Sequence, residues 1–154
     1  MNVKETARKQ YVRLVDRAAQ QLQALHQPRG GWLALVRHAL GMSGAHVAAR
    51  MGVTRNAIYQ AERNEKDGAI TIAQMRKIAA AMDATFIYAV VPKGSIEEVI
   101  RNQARRKAEA RVRRAGSHMA LESQSLTNEQ TKQRIDALAD ELAREMPPYF
   151  WEVK

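Results

Sequence analysis

Near the start of the chain, apolar residues recur at spacings of three and four: Tyr11, Leu14, Val15, Ala18, Leu22 and Leu25. That period places them on one stripe of a helix running from Val3 to Leu25, which "HQPRGG" then ends. Residues 32–82 keep the helical period in four short segments, broken at Gly41, at Gly52 and at "NEKDGAIT". The pattern then changes. "ATFIYAVVP" runs β-branched and aromatic residues together and closes on a proline, which predicts a buried strand over 85–92. Helical spacing resumes over 95–114, with Ile96, Val99, Ile100, Ala104, Ala108 and Val112 on one side. "AGSHMALES" follows; its Gly116 to Met119 look like the scar of a cleaved tag, but helical pattern lies on both sides. It therefore reads as native sequence and as the turn between two helices. The last helix opens at a capping box, Thr127 to Gln130, and runs through Ile135, Leu138, Ala139, Leu142 and Met146 until "PP" stops it.

These elements predict a mainly α protein with one short strand, and they divide the chain into four parts. Residues 1–28 form an N-terminal helix, 29–84 a helical domain, 85–92 the strand and 93–154 a C-terminal helical extension. No internal repeat or low-complexity linker is visible. A lone strand leaves backbone donors and acceptors unpaired along its edges, each costing roughly 1 to 3 kcal/mol when buried. No second segment has strand character, so Phe86, Ile87, Tyr88, Ala89 and Val90 are expected to pair antiparallel with the same residues of a second copy. In the competing reading, Phe86, Tyr88 and Val90 pack on the chain's own helices in extended form.

Within the helical domain, "GMSGAHVAARMGVTRNAIYQAE", residues 41–62, holds two helical patterns separated only by "MGVT". The arrangement is that of a helix-turn-helix, in which a tight Gly-containing turn aims a second helix outward. Ser43 caps the first helix, and Val47, Ala48 and Met51 face inward. Gly52 permits the turn, Val53 plugs it, and Thr54 caps a second helix whose inward residues are Ile58 and Ala61. Arg55, Asn56, Tyr59, Gln60 and Arg63 are left facing away from the core. Arg matches guanine, Asn and Gln match adenine, and a helix N-terminus favours phosphate. Arg55, Asn56, Tyr59 and Gln60 are accordingly the candidate base readers; Ser43, His46, Thr54 and Arg63 are the candidate backbone contacts. The alternative is an ordinary helix pair whose polar face meets only water.

Charge strengthens the first reading. The chain of 154 residues carries a formal net charge of +9, with a pI of about 10.3, the footprint of a protein that meets phosphate. The charge is uneven: residues 1–114 hold 21 Lys and Arg against 9 Asp and Glu, and residues 115–154 hold 4 against 7. Seven of the cations lie on the helix of 95–114, where Arg101, Arg105, Arg106 and Arg113 are candidates for flanking a DNA backbone, if that face does more than hold water. The C-terminal part is the acidic one, and its Tyr149, Phe150 and Trp151 must either dock on this chain or be held for a partner. Hydrophobic residues make up 45% of the chain and aromatics 5%. No apolar run approaches the length of a membrane span, and "MNVKETARKQ" is too polar for a secretory signal. With no cysteine, neither disulfides nor thiolate metal sites are available. A cytoplasmic, nucleoid-associated protein with no membrane partner is expected.

At family level, "WLALVRHALGMSGAHVAARMGVTRNAIYQAERNEKDGAITIAQMRKIAAAMDA" resembles the Xre-type helix-turn-helix domain of phage repressors and bacterial antitoxins. Leu33, Val36, Met42, Val47, Ala48, Gly52, Val53, Ile58 and Glu62 carry that likeness. Over nearly the whole chain, "GW", "ALGMS", "YAVVP", "MALESQ" and "PPYFWE" together resemble the family called mobile mystery protein A. Members are typically encoded beside a Fic-domain protein. The resemblance thus implies an Xre-like bundle and a toxin and antitoxin pair, with this chain as the DNA-binding antitoxin and a Fic-domain toxin as its partner. Similar strands in some Xre-type antitoxins pair between copies, which would set two recognition helices on an inverted-repeat operator. The pattern departs from the family at Gly44, where a phosphate-holding Gln is usual, so that contact falls to a backbone amide, His46 or another side chain. Ser125, Glu129 and Gln130 come nearest to the inhibitory motif of Fic antitoxins but fail its last position, and Thr127 and its neighbours read better as a helix cap.

Catalysis finds no constellation. His26, His38, His46 and His118 are scattered, with no second ligand at helical spacing, and neither a Ser-His-Asp set nor a Walker loop is present. "HQPRGGW" lacks the acid and second basic residue of a Fic catalytic loop. No metal and no cofactor is expected. The two working hypotheses are a sequence-specific repressor of its own operon acting as a homodimer, and a protein-interaction module neutralising a toxin with a vestigial helix-turn-helix.

Overall fold

The computed structural model describes residues 2–121 and 127–153, and its described residues form seven helices. They are α1 (Val3–Leu22), α2 (Trp32–Ala39), α3 (Gly44–Met51), α4 (Arg55–Asp67), α5 (Ile72–Ala81), α6 (Ile96–Leu121) and α7 (Asn128–Glu145). Two compact units result: Gln23–Ala89, and a second made of Met1–Leu22 with Val90–Lys154. The N-terminal helix thus groups with the C-terminal ones.

In the unit of residues 23–89, each short helix is bounded by a residue that satisfies its end. Ser43, Thr54 and Thr71 are N-caps whose side chains accept from the backbone N–H groups of His46, Ala57 and Gln74. At α2 the N-cap is Gly31, which has no side chain to offer. Glu65 of α4 takes over: its carboxylate accepts from Trp32 N at 2.6 Å and Leu33 N at 3.0 Å. A Cβ on Gly31 would meet that carboxylate at 2.7 Å, so the absent side chain is what admits the distant cap. Inside lie Leu33, Val47, Ala48, Ile58, Ala61, Met75, Ile78 and Met82, with Met42, Met51, Ile70 and Phe86 against them. Burying a side chain such as Val47, Ile58 or Ile78 stabilises by about 1.5 to 3 kcal/mol, which is what holds such short helices in place.

The other unit is held by α6 against α7. Ala104 and Ala108, one turn apart on α6, offer no bulk, and Leu142 and Phe150 fill the space beside them. Phe150 is fully buried, whereas Tyr149 and Trp151 are 42% and 55% exposed. The tail therefore docks on its own unit through one ring of three. Its turn follows from Pro147: the residue before a proline is kept out of the α region, and Met146 leaves α7 with φ 40° and ψ 68°. Helix α1 has no buried residue. It is tied by Asp16, whose carboxylate accepts from Ile96 N at 3.0 Å and so caps α6.

Two expectations need correction, and a third finds no partner within the chain. Residues 115–121 are not a turn but the last two turns of α6, where Ser117 Oγ donates back to the Arg113 carbonyl at 3.0 Å. A single Gly116 costs a helix only about 1 kcal/mol. Helix α1 stops at Leu22, short of Leu25. Residues 85–92 carry no strand; among the described residues they have no regular secondary structure. A strand exists only by its ladder, and no described segment of this chain supplies one. Phe86 nevertheless packs on the core, and its ring stacks on Tyr88 at 5.9 Å, the same-side placement of extended backbone.

Candidate nucleic-acid interface

Helices α3 and α4 pack together through Val47, Ala48, Ile58 and Ala61. Between them the chain reverses at Gly52, with φ 68° and ψ 33°, a left-handed conformation that costs a residue with a side chain about 1 kcal/mol or more. Val53 N donates to the Ala48 carbonyl at 3.0 Å, closing the turn. Val53 itself does not plug it: the side chain is 42% exposed and outside the core cluster. Three residues therefore separate the two helices, and α4 begins at the Thr54 cap.

The first turn of α4 carries Arg55 and Asn56, both exposed, their side chains without a hydrogen bond to any described residue. They stand beside the positive end of the helix dipole, where an anion is favoured. One turn on, Gln60 is exposed but engaged along the helix. It accepts from Arg63 Nη2 at 2.8 Å and donates to Asn64 Oδ1 at 2.9 Å. Reading a base would require Gln60 to exchange those bonds, while Arg63 holds it in place.

Tyr59 is corrected. Expected outside among the base readers, it is half-buried: its hydroxyl accepts from Gly44 N at 3.3 Å, and the Arg37 guanidinium lies 5.4 Å from its ring centroid. Gly44 explains the inward turn, because a Cβ there would come within 2.6 Å of Tyr59 Cζ. The departure at Gly44 is thus half of a pair, and the Gly44 amide is engaged by Tyr59. Ser43 and His46 form a reciprocal box, His46 N donating to Ser43 Oγ at 3.2 Å and Ser43 N to His46 Nδ1 at 2.9 Å. With Nδ1 accepting, the neutral ring carries its proton on Nε2, and His46 remains exposed with that donor directed elsewhere. Thr54 caps α4 as expected, so its oxygen is already engaged by Ala57 N at 3.2 Å.

Beneath this surface lies an ion pair that nothing in the sequence pattern announces beyond Glu62. Arg37, 7% exposed, donates from Nε to Glu62 Oε1 at 2.6 Å and from Nη2 to Glu62 Oε2 at 3.1 Å. Its Nη1 reaches the Met42 carbonyl at 3.1 Å. The hydrogen-bonded Glu62 carboxylate holds the guanidinium above its ordinary pKa against the opposing effect of burial. Through Arg37, Gly44, Tyr59 and Glu62 the cluster locks α2, α3 and α4 into one orientation, and no described buried side-chain polar atom is left without a partner.

The four cations picked out on α6 all have company. Arg101 pairs with Glu97 at 2.6 Å, Arg105 with Glu109 and Asp136 at 3.2 Å each, and Arg113 with Glu109 at 3.9 Å. Arg106 donates to Gln103 at 2.8 Å. Such exposed pairs hold little energy and yield readily to a phosphate. Among the described residues no group of three or more His, Asp or Glu could hold a metal, and no helix is long and apolar enough to cross a membrane. Thr127 and Gln130 form the expected capping box, at 3.2 and 3.0 Å; Ser125, the first position of the possible inhibitory motif, lies outside the described residues. Compared with protein-family models, with curated proteins and with solved structures, the chain finds no match.

Proposed function

We propose that this chain is a sequence-specific DNA-binding repressor that acts as a homodimer and serves as the antitoxin of a toxin and antitoxin pair. The observation that carries the DNA reading is the first turn of α4: the Arg55 and Asn56 side chains exposed and unengaged just after the Thr54 cap, on a helix held rigid by the cluster beneath it. Unspent donors on a rigid helix are what groove reading requires. Arg55 and Asn56 read base edges, Gln60 assists once released by Arg63, and His46 and Arg63 meet the backbone. Cations of α6 add sequence-independent attraction. A Fic-domain toxin as partner, and a cytoplasmic, nucleoid-associated location, rest on the family resemblance and the charge of the sequence.

Dimer formation through residues 85–92 is supported by what that segment leaves uncovered. Ile87 is 75% exposed, Tyr88 59% and Val90 91%. Residues 85–92 make no backbone hydrogen bond to any described residue. An apolar stretch with open edges is a template for another strand, and a second copy supplies one about a two-fold axis. Pairing there presents two α4 helices to an inverted repeat.

A gel shift on the DNA upstream of the chain's own coding sequence, run beside sedimentation, tests this reading. The intact chain should sediment as a dimer and shift the inverted repeat. Ile87→Pro removes a ladder donor and should give a monomer that binds the full repeat at least about tenfold more weakly, since each half-site must then be bound alone. A proline variant that stays dimeric and binds as well places the seam elsewhere; an intact chain that prefers no upstream sequence over random DNA removes the repressor reading. Co-expression with the neighbouring Fic-domain protein should yield a complex that survives purification.

A further inference from the structure

The unit that lacks the helix-turn-helix holds a cleft of about 320 Å³ between α6 and the C-terminal turn. Its lining is Lys107, Arg111, Arg114, Leu142, Tyr149 and Glu152. The three cations lie at successive turns along one face of α6. Their situations differ. Lys107 holds the tail in place, its Nζ donating to the Glu152 carbonyl at 2.5 Å. The side chains of Arg111 and Arg114 are exposed and make no hydrogen bond or ion pair to any described residue, unlike those of Arg101, Arg105, Arg106 and Arg113 of the same helix. Opposite them stand an apolar floor, Leu142, and an aromatic wall, Tyr149, whose neighbour Phe150 anchors the turn.

We propose that this cleft binds a small phosphate monoester that carries a planar ring, with the ring against Tyr149 and Leu142 and the phosphate on Arg111 and Arg114. Each part of the cleft selects one part of such a ligand. Guanidinium groups match phosphate oxygens two at a time, and a phosphate monoester brings a charge of about −1.5 to −2 to the two arginines. The volume is at the lower end for small-molecule sites, which run from about 300 Å³ upward, so it admits a single ring rather than an extended chain. A DNA backbone is a poorer fit, because it would bring phosphate to the cations and nothing apolar to cover Leu142 and Tyr149. The inference is independent of the groove-reading role of α4, since none of its residues belongs to the unit of 23–89.

Calorimetric titration of the full chain with phenyl phosphate, beside inorganic phosphate and a random DNA duplex, decides it. Phenyl phosphate should bind at one site per chain and at least roughly tenfold more tightly than inorganic phosphate, the difference being the ring. Arg111→Ala with Arg114→Ala should weaken it roughly tenfold or more. Tyr149→Leu, which keeps apolar bulk without a ring, should weaken phenyl phosphate several-fold and leave inorganic phosphate unchanged, with an unaltered melting curve showing that the tail stays docked. Equal binding of the two phosphates, or phenyl phosphate binding that ignores the arginine pair, overturns the proposal. So does a double arginine variant that loses affinity for the DNA duplex alone, which would make the pair a backbone contact.

Discussion

Arg37→Ala should destabilise the unit of residues 23–89 by about 3 to 5 kcal/mol, the cost of leaving one member of a buried ion pair without the other. The geometry supports the upper half of that range. Arg37 is bound to Glu62 through two parallel hydrogen bonds, to the Met42 carbonyl through a third, and lies over the Tyr59 ring. Removing it strands a carboxylate whose side chain is only 12% exposed, together with a carbonyl. Arg37→Lys should recover little, because an ammonium cannot make the paired contact and reach Met42 as well. The double variant Arg37→Met, Glu62→Leu removes both charges and should be far milder than either single change. Urea unfolding of the four proteins measures this as a double-mutant cycle. Additive losses would mean that the pair does not lock the three helices. Loss of the pair should also weaken DNA binding, since α4 would no longer be presented in one orientation.

Phe150→Ala should cost the other unit about 3 to 5 kcal/mol. The ring is fully buried against Ala104, Ala108 and Leu142, and its own carbonyl accepts from Gln103 Nε2 at 2.6 Å. Both alanines are too small to close the gap. The core of Leu33, Val47 and Ile58 shares no residue with this cluster, so thermal unfolding followed by hydrogen exchange should show protection lost in α6 and α7 and kept in α3 and α4. Trp151→Ala, at an exposed position, should cost well under 1 kcal/mol by the same measurement. If instead Phe150→Ala leaves α7 protected, the aromatic tail is not what closes this unit and is free for a partner.

What could be read from the sequence, and what could not, divides by distance along the chain. Caps and turns are local. Ser43, Gly52, Thr54 and the Thr127 box declare themselves because a cap and the amide it serves lie three residues apart. The inward faces of α3 and α4 follow from period alone. Three structural devices were hidden because their two halves are far apart: Glu65 capping α2, Asp16 capping α6, and Arg37 paired with Glu62. Two of them had half a signal. "GGW" opens a helix without a capping side chain, and Glu62 is a carboxylate on a helix face next to buried Ala61. Tyr59 was misplaced for a related reason: an aromatic on a polar face reads as outward until one asks what fills the space over Gly44. The 115–121 stretch misled through composition, since Gly and Ser weaken a helix without ending one that is already propagating.

Whether α4 reads sequence is decided by comparing affinities for the operator and for random DNA at one fixed salt concentration. Arg55→Ala and Asn56→Ala should each lose roughly 1 to 3 kcal/mol on the operator and little on random DNA, so that the ratio between the two falls. Tyr59→Phe, which changes only a group already bound to Gly44, should leave that ratio nearly intact. Equal losses on both duplexes for Arg55→Ala and Asn56→Ala would contradict the account, because residues that only neutralise phosphate cannot tell one sequence from another.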